Sequence, residues 1–462
     1  MALEGKEGKV SSSFRDPSGF LFSKDGVLYR QINLYYKQDY DCLMGSGLYK
    51  SLVDEGLLIG HQEVDIKSDS PQQAYKTIKP QIIPFISYPY EWCFSQLKDA
   101  ALATLKIQKK SLEFGISLKD ASMYNIQFYK GRPIFIDTLS FEKYSCGQPW
   151  VAYRQFCQHF LAPLALMCYK DSRLSQLLRI YIDGIPLDLA SSLLPFSSRL
   201  NFSLLSHIHL HAKSQQHFAS RPLNVESHKI GHLSYLAIID NLEGAIKGLR
   251  WHKNNTEWAD YYEQTNYSPT ALEYKKQVIA EFLDIIRPAN VWDLGANLGL
   301  FSRIASNRGI PTVAFDIDPV AVENNYLEAS IKKEINILPL ILDLTNPSPA
   351  IGWANQERNS LVERAPADMA FALALIHHLA ISNNLPFCEI GLFLEKICKS
   401  LIIEFVPKED SQVQRLLRSR KDIFPDYTQE AFESAFQQYF LIKKRLAVKD
   451  SLRWLYLMAR RC

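Results

Sequence analysis

The sequence predicts an α/β chain in two parts. The C-terminal half reads as a mostly parallel sheet covered on both faces and ended by an antiparallel edge hairpin. The N-terminal half reads as α+β. Three observations carry this. Beyond residue 268, continuous apolar strands alternate with helices, the pattern of a buried parallel sheet. The last stretch, "YFLIKKRLAVKDSLRWLYLMARR", reads as two strands joined by a Lys-Asp turn. Upstream, residues 19–66 alternate short apolar runs with turns such as "SKDG", then give a helical "YDCLMGSGLYKSLVDEG". Residues 91–115 and 148–212 carry apolar residues three and four apart, as helices do.

Length and composition narrow the function classes. A chain of 462 residues has room for two or three domains. It is 47% hydrophobic and 22% charged, an ordinary globular balance. A net charge of +3 with no basic stripe speaks against a nucleic-acid partner. "MALEGKEGKVSSSFRDPSG" has no apolar core, so no secretory leader is expected. The longest clean apolar run, "FLAPLALMCY", is about half of what a membrane span needs, so none is expected. Eight cysteines without a C-x-x-C pair point to reduced thiols in a cytoplasmic protein, and to no metal site. The polar stretch 213–232 anchors a linker placed over 213–240, between domains 1–212 and 241–462.

The C-terminal elements follow in order. Ser268-Pro269 supplies a cap and a first turn. Leu272, Val278, Ile279, Phe282, Leu283 and Ile286 then recur at helical spacing. "NVWDL" is a strand, "GLFSRIASNRG" a helix ended by Gly, and "TVAFDID" a strand. "PVAVENNYLEASIKK" is a helix, and "NILPLILDL", "DMAFALALI" and "SLIIEFV" are further strands. The strongest stretch runs from Val291 to Ser302, through strand, Gly-rich turn and helix. Gly295 and Gly299 let the backbone turn tightly against a ligand, and the helix start offers free N–H groups. Asp293 faces the crevice at the strand's carboxyl end. Asp316 ends the next strand, where an acid can take both ribose hydroxyls. Asp343 ends a third and can accept from an adenine amino group. The turn spacing is G-x-x-x-G, not the dinucleotide G-x-G-x-x-G. Asp293 would repel a pyrophosphate and suits an ammonium group.

Over roughly residues 255–462 this constellation resembles the class I S-adenosylmethionine-dependent methyltransferases, a Rossmann-like fold with a terminal antiparallel hairpin. The resemblance implies S-adenosylmethionine as cofactor. It puts Asp293 and Gly295 at the methionine end, Asp316 at the ribose and Asp343 at the adenine, and makes Asn297 and Gly299 of the same turn cofactor-binding as well. After the fourth strand the chain has "LALIHHLAISNN" where amide and nucleobase methyltransferases carry N/D-P-P-Y/F. His377 and His378 are therefore the candidate bases, with an imidazole expected near its ordinary pKa. Glu404, ending "LIIEF", is a second candidate, for orienting substrate or base. Tyr261, Tyr262, Asn266 and Tyr267 either line the cofactor's mouth or pack. "GWANQER", Gly352 to Arg358, is a candidate adenine cover.

In the N-terminal half, Asp120 and Asn125, then Asp137, resemble in order and spacing the catalytic loop and metal-binding Asp of protein-kinase-like and aminoglycoside-phosphotransferase-like folds. This resemblance covers about residues 19–212 and implies Mg-ATP, with Asp120 receiving a hydroxyl proton and Asn125 and Asp137 holding the metal. Leu118 stands where such enzymes carry His, Asp137 is followed by Thr-Leu, no Gly-rich phosphate loop exists, and Arg30 replaces the expected Lys. The alternative is that Asp120 and Asn125 form a turn in a domain that recognises substrate or partner. "HIHLHA" places His207 and His211 four apart, but no third ligand completes a zinc set, so a structural or surface role is expected. The whole chain looks like bacterial nodulation-type or uncharacterised class I methyltransferases. Its expected function is methyl transfer to an oxygen of a small-molecule or glycan-like acceptor. ATP-dependent phosphotransfer and a non-catalytic cofactor-binding scaffold are the alternatives.

Overall fold

A computed structural model describes residues 7–68, 70–218, 231–251, 268–418 and 421–461. The chain divides into two compact units. The first is Leu3–Lys253 with Ile351–Arg358; the second is Asn254–Ala350 with Asn359–Cys462.

The first unit opens with β1 (Gly8–Lys9), β2 (Gly19–Lys24), β3 (Val27–Asn33), β4 (His61–Val64) and β5 (Ala74–Pro80). They form one antiparallel sheet in the order β1-β2-β3-β5-β4. The helix Phe94–Glu113 follows, burying Leu97, Ala101, Leu105 and Leu112. Next come β6 (Ile116–Leu118), β7 (Ile126–Tyr129), β8 (Arg132–Phe135) and β9 (Phe141–Lys143), paired as β6-β9 and β7-β8. Among the described residues, the stretch from Tyr153 to Phe218 is mostly helical.

The expected linker is partly structure. His232–Gly248 is a helix that buries Tyr235, Ile239, Leu242 and Ile246. Lys109, on the helix Phe94–Glu113, pairs with its Asp240 and Glu243, and Gln108 donates to the Tyr235 hydroxyl at 2.9 Å. The unit boundary therefore falls at Lys253, beyond the expected 240. Residues 219–230 of the expected linker lie outside the described residues.

The second unit is a mixed α/β fold on a mostly parallel sheet. Its strands are β10 (Val291–Leu294), β11 (Thr312–Asp316), β12 (Ile337–Ile341), β13 (Ala367–Ala372), β14 (Cys398–Phe405), β15 (Phe440–Ala447) and β16 (Trp454–Arg460). Their order is β12-β11-β10-β13-β14-β16-β15. The first five run parallel; β16 is antiparallel to both β14 and β15. Chain order reverses at β10, between β11 and β13, where open α/β sheets leave a crevice at their carboxyl ends. Ser268 caps the helix Pro269–Ile286, accepting from the Ala271 N–H at 3.0 Å. Its Val278, Ile279, Phe282 and Leu283 form one core with Val291, Phe371, Ile402 and Leu457. The edge hairpin forms as the pattern predicts.

Candidate functional site

The site is built at the carboxyl ends of β10, β11 and β12. After Leu294 the chain turns through Gly295 (φ 81°), Asn297 (φ 50°) and Gly299 (φ 77°). All three are left-handed, a conformation that Gly adopts without strain and Asn tolerates. A Cβ on Gly299 would lie 2.6 Å from Asn325 Nδ2, so the turn is tight against the neighbouring helix Pro319–Lys332. The Gly295 and Ala296 N–H groups donate to the Phe315 carbonyl at 2.9 and 2.8 Å, tying the turn to β11.

Asp316 completes the link. Its two carboxylate oxygens accept the N–H groups of Asn297, at 2.7 Å, and Asp318, at 2.9 Å. Asp293 accepts from the Ser302 hydroxyl at 2.6 Å. Both acids are buried. Desolvation raises Asp293 to about 7, and the Asp316 charge adds to the rise, against the Ser302 hydrogen bond and Lys275. Desolvation raises Asp316 to about 6, against its backbone hydrogen bonds. Asp343, two residues past β12 and half-buried, accepts the Thr345 N–H at 2.8 Å and its hydroxyl at 2.6 Å. Among the described residues none of these three acids forms an ion pair. Two buried carboxyls that lack a paired cation suit a ligand that brings one.

His377 and His378 follow β13, with ring centroids 4.2 Å apart. The expected near-neutral pKa does not hold. Burial, then the charges of His378, Arg453 and Lys275, hold His377 well below its ordinary value. Burial and Arg453 push His378 down to about 4. His377 is 0% exposed, and among the described residues neither of its ring nitrogens has a hydrogen-bond partner. His378 is partly exposed.

Glu404 is fully buried and committed to protein partners. It accepts from Lys275 Nζ at 2.7 Å and from the Ala374 N–H at 2.7 Å, and Arg453 lies 3.9 Å away. Arg453 in turn grips Asp410, at 2.8 Å through Nε and 3.1 Å through Nη2. The network pins the turn that leads from β13 to the histidines. Lys275, Arg453, Asp410 and Ser302 were not read from the sequence. Lys275 did leave a signal: it stands three residues after Leu272 and four before Ile279, where the helical stripe calls for an apolar side chain.

The acids of the first unit are also brought together, but by protein donors. Asp120 accepts from the Ser122 N–H at 2.9 Å and Gln155 Nε2 at 2.7 Å. Burial, then the charge of Asp137, raises its pKa. Asn125 donates to Ser140 Oγ at 3.1 Å, and Ser140 donates to Asp137 Oδ2 at 2.6 Å. Arg30 Nη1 sits 2.6 Å from Asp137 Oδ1, and its Nη2 is 3.1 Å from Asp16. A guanidinium on the carboxylate that would hold Mg²⁺ opposes a divalent cation, so these residues do not fit a Mg-ATP site. Among the described residues no cluster of three or more His, Cys, Asp or Glu could hold a metal.

The remaining sequence candidates have structural surroundings. His207 meets the Tyr153 hydroxyl at 2.6 Å and Asn241 Oδ1 at 2.8 Å, and His211 stacks on Tyr153. The segment Ile351–Arg358 groups with the first unit rather than with the strands of the expected adenine site. Its Glu357 pairs with Arg15 at 2.6 Å, and Arg358 lies 4.2 Å from the Tyr124 ring centroid. Tyr261, Tyr262, Asn266 and Tyr267 lie outside the described residues.

No family model matches the chain. It is 35% identical, over 468 aligned residues, to the nodulation protein NoeA of Rhizobium meliloti (strain 1021), covering 100% of this chain and 98% of that one. Among solved structures it is similar to the bifunctional kinase-methyltransferase WbdD, at 15% identity and a TM-score of 0.30, over 43% of this chain and 42% of that one. The chain thus spans less than half of WbdD. It is also similar to magnesium protoporphyrin IX methyltransferase (ChlM) from Synechocystis PCC 6803 with bound SAH, at 14% identity and a TM-score of 0.31, over 44% of this chain and 93% of that one.

Proposed function

The chain belongs to the family of the nodulation protein NoeA, and from that premise we propose that its second unit moves a methyl group from S-adenosylmethionine to an oxygen of a small-molecule or glycan-like acceptor in the cytoplasm. The observation that carries this reading is the row of Asp293, Asp316 and Asp343 at the carboxyl ends of three neighbouring parallel strands, around a left-handed turn.

The residues present fit that cofactor. The raised pKa values of Asp293 and Asp316 mark unsatisfied negative charge, which a ligand bearing ammonium and sulfonium groups relieves. In this proposal Asp293 and the Gly295–Gly299 turn receive the amino-acid end. Asp316 has lone pairs left for two ribose hydroxyls after its two backbone bonds, and Asp343 takes the adenine amino group. The bound cofactor supplies an electrophilic methyl group on a sulfonium centre.

His378, partly exposed, accepts the acceptor's hydroxyl hydrogen. A weak base suffices, because the hydroxyl becomes strongly acidic only as its oxygen gains the new bond. His377 is too buried to touch an acceptor and acts through packing. Glu404 acts by holding the Ala374 turn. The first unit, kinase-like in the order of Asp120, Asn125 and Asp137, shapes access or recognises substrate without phosphotransfer. The Arg30–Asp137 pair supports that assignment over an ATP-dependent one.

Methyl-labelled S-adenosylmethionine, given to the protein in a bacterial extract fractionated by size, tests the reading. Label is expected in the small-molecule or glycan fraction. Label in protein or RNA overturns the acceptor class, and calorimetric binding without label overturns catalysis in favour of a scaffold. Asp316→Ala should weaken cofactor binding by about 1–3 kcal/mol, the loss of hydrogen bonds to a charged acceptor. Unchanged affinity removes the ribose assignment.

A further inference from the structure

The turn that leaves β13 holds Ala374 in a conformation it does not favour. Its φ is 49°, the left-handed region, which is costly for a residue with a Cβ. Backbone of this kind persists only where its surroundings impose it. Glu404, near the end of β14, is the group that does so: its Oε2 accepts the Ala374 N–H at 2.7 Å. The same oxygen accepts from Lys275 Nζ at 2.7 Å, which reaches in from the helix Pro269–Ile286. Both charged side chains are buried.

The next residue carries that position to two parts of the site. The Leu375 carbonyl accepts the N–H groups of His378, at 3.0 Å, and Leu379, at 3.3 Å, and so starts the helical turn that carries the histidines. The Leu375 side chain meets the glycine turn: a Cβ on Gly295 would lie 3.6 Å from its Cδ1, an ordinary packing distance. Leu375 is partly exposed, where His377 is buried. It therefore joins the Gly295 turn to the His378 turn, and Ala374 fixes where it stands.

We infer that Ala374 and Leu375 are positioning residues: Glu404, held by Lys275, keeps Ala374 left-handed, so that Leu375 supports the Gly295 turn and places the His378 turn together. This rests on the reading of the Gly295 turn as the cofactor's methionine end, and it adds what fixes the shape of that end. A carboxylate suits the task, since a hydrogen bond to an ionised acceptor is stronger than one to a neutral acceptor. Lys275 favours the ionised form. Arg453, 3.9 Å from Glu404 Oε1 and itself bound to Asp410, closes the other side of the carboxylate.

Titration calorimetry with S-adenosylmethionine, beside amide hydrogen exchange of the ligand-free full chain, tests this in two matched double variants. Lys275→Met with Glu404→Gln keeps a carbonyl oxygen for the Ala374 N–H. Lys275→Met with Glu404→Leu removes it, and neither strands a buried ammonium. The leucine variant should bind about tenfold more weakly than the glutamine variant, the scale of one hydrogen bond. Its Gly295 and Ala296 amides should also exchange faster. Adding Ala374→Gly to the leucine variant should return part of the affinity, since Gly takes the left-handed turn without cost. Leu375→Ala leaves the buried charges whole, so it tests the contact even where the double variants do not fold; it too should weaken binding and speed exchange at Gly295. Equal affinity and exchange in the two double variants, or an unchanged Gly295 amide in Leu375→Ala, overturns the inference. Absence of S-adenosylmethionine binding by the unchanged protein overturns the cofactor reading instead, and the exchange rates then decide the positioning by themselves.

Discussion

Each unit gathers carboxylates at one place, and the two sets are treated in opposite ways. In the first unit, Asp137 is closed by Arg30, Ser140 and the Leu139 N–H, and Asp120 by Gln155 and Ser122. In the second, Asp293 and Asp316 are buried with a hydroxyl and backbone N–H groups as partners, and their pKa values rise to about 7 and about 6. In the first set Asp137 already has a cation in Arg30, while Asp120 has only neutral donors and is raised by burial and by Asp137. The second is left wanting a cation. Acid residues at strand ends and turns therefore do not by themselves identify a working site; what matters is whether the fold has already answered their charge.

The largest expected effect comes from breaking a set that the second unit has closed. Glu404→Ala leaves Lys275, 1% exposed at its side chain, without its partner 2.7 Å away. Loss of one member of a buried pair costs about 3–5 kcal/mol. Denaturant unfolding should show that loss, and the double change Glu404→Gln with Lys275→Met should recover part of it. A loss under about 1 kcal/mol would mean that water reaches the pair.

The contrast then predicts opposite signs for one kind of substitution. An acid whose folded pKa lies above its unfolded value destabilises the fold as pH rises from the unfolded pKa, and the penalty is complete above the folded one. At pH 8, Asp293→Asn should therefore stabilise the ligand-free protein, by about 1–3 kcal/mol, while weakening cofactor binding. Asp137→Asn should destabilise, by about 1 kcal/mol, because Arg30 loses the nearer of its two carboxylate partners and keeps only Asp16. Thermal melts of the two variants side by side decide it. Equal signs would erase the distinction between the sets.

Cofactor affinity should also rise with pH between about 5 and 8, by up to about tenfold per unit for each acid that must release a proton. Calorimetry in buffers of different ionisation enthalpy would count the protons released. A flat profile would mean that Asp293 and Asp316 are already ionised before the ligand arrives.

Much of the second unit could be read from the sequence, because its signals are local. Ser268 caps its helix within three residues, and Val291–Ser302 carries strand and turn in one stretch. Asp316 follows from the length of one strand–helix–strand repeat. The rest depends on partners far apart in the chain. Lys275 and Glu404 are separated by 129 residues, so neither could be read as half of a pair. His377 and His378 follow β13, but their low pKa values come from burial and from Arg453, which lies between β15 and β16. The segment Gly352–Arg358 read as a candidate adenine cover, since it follows Asp343 in the chain. Its contacts with Arg15 and Tyr124 put it in the other unit. The helix His232–Gly248 was hidden by the polar stretch before it, although Tyr235, Ile239, Leu242 and Ile246 already carried helical spacing.

The smallest effect probes the first unit directly. If Arg30 stands where a metal would, removing it should leave Asp137, whose charge already raises Asp120, without its cation. Arg30→Ala should cost about 1 kcal/mol, the scale of one charge-assisted hydrogen bond at a partly exposed pair. Millimolar Mg²⁺ should restore part of that loss in the variant and leave the unchanged protein's melting temperature alone, since there the guanidinium already occupies Asp137 Oδ1. Stabilisation of the unchanged protein by Mg-ATP would show that Arg30 swings away to admit the nucleotide. The two acid sets would then differ only in which ligand each awaits.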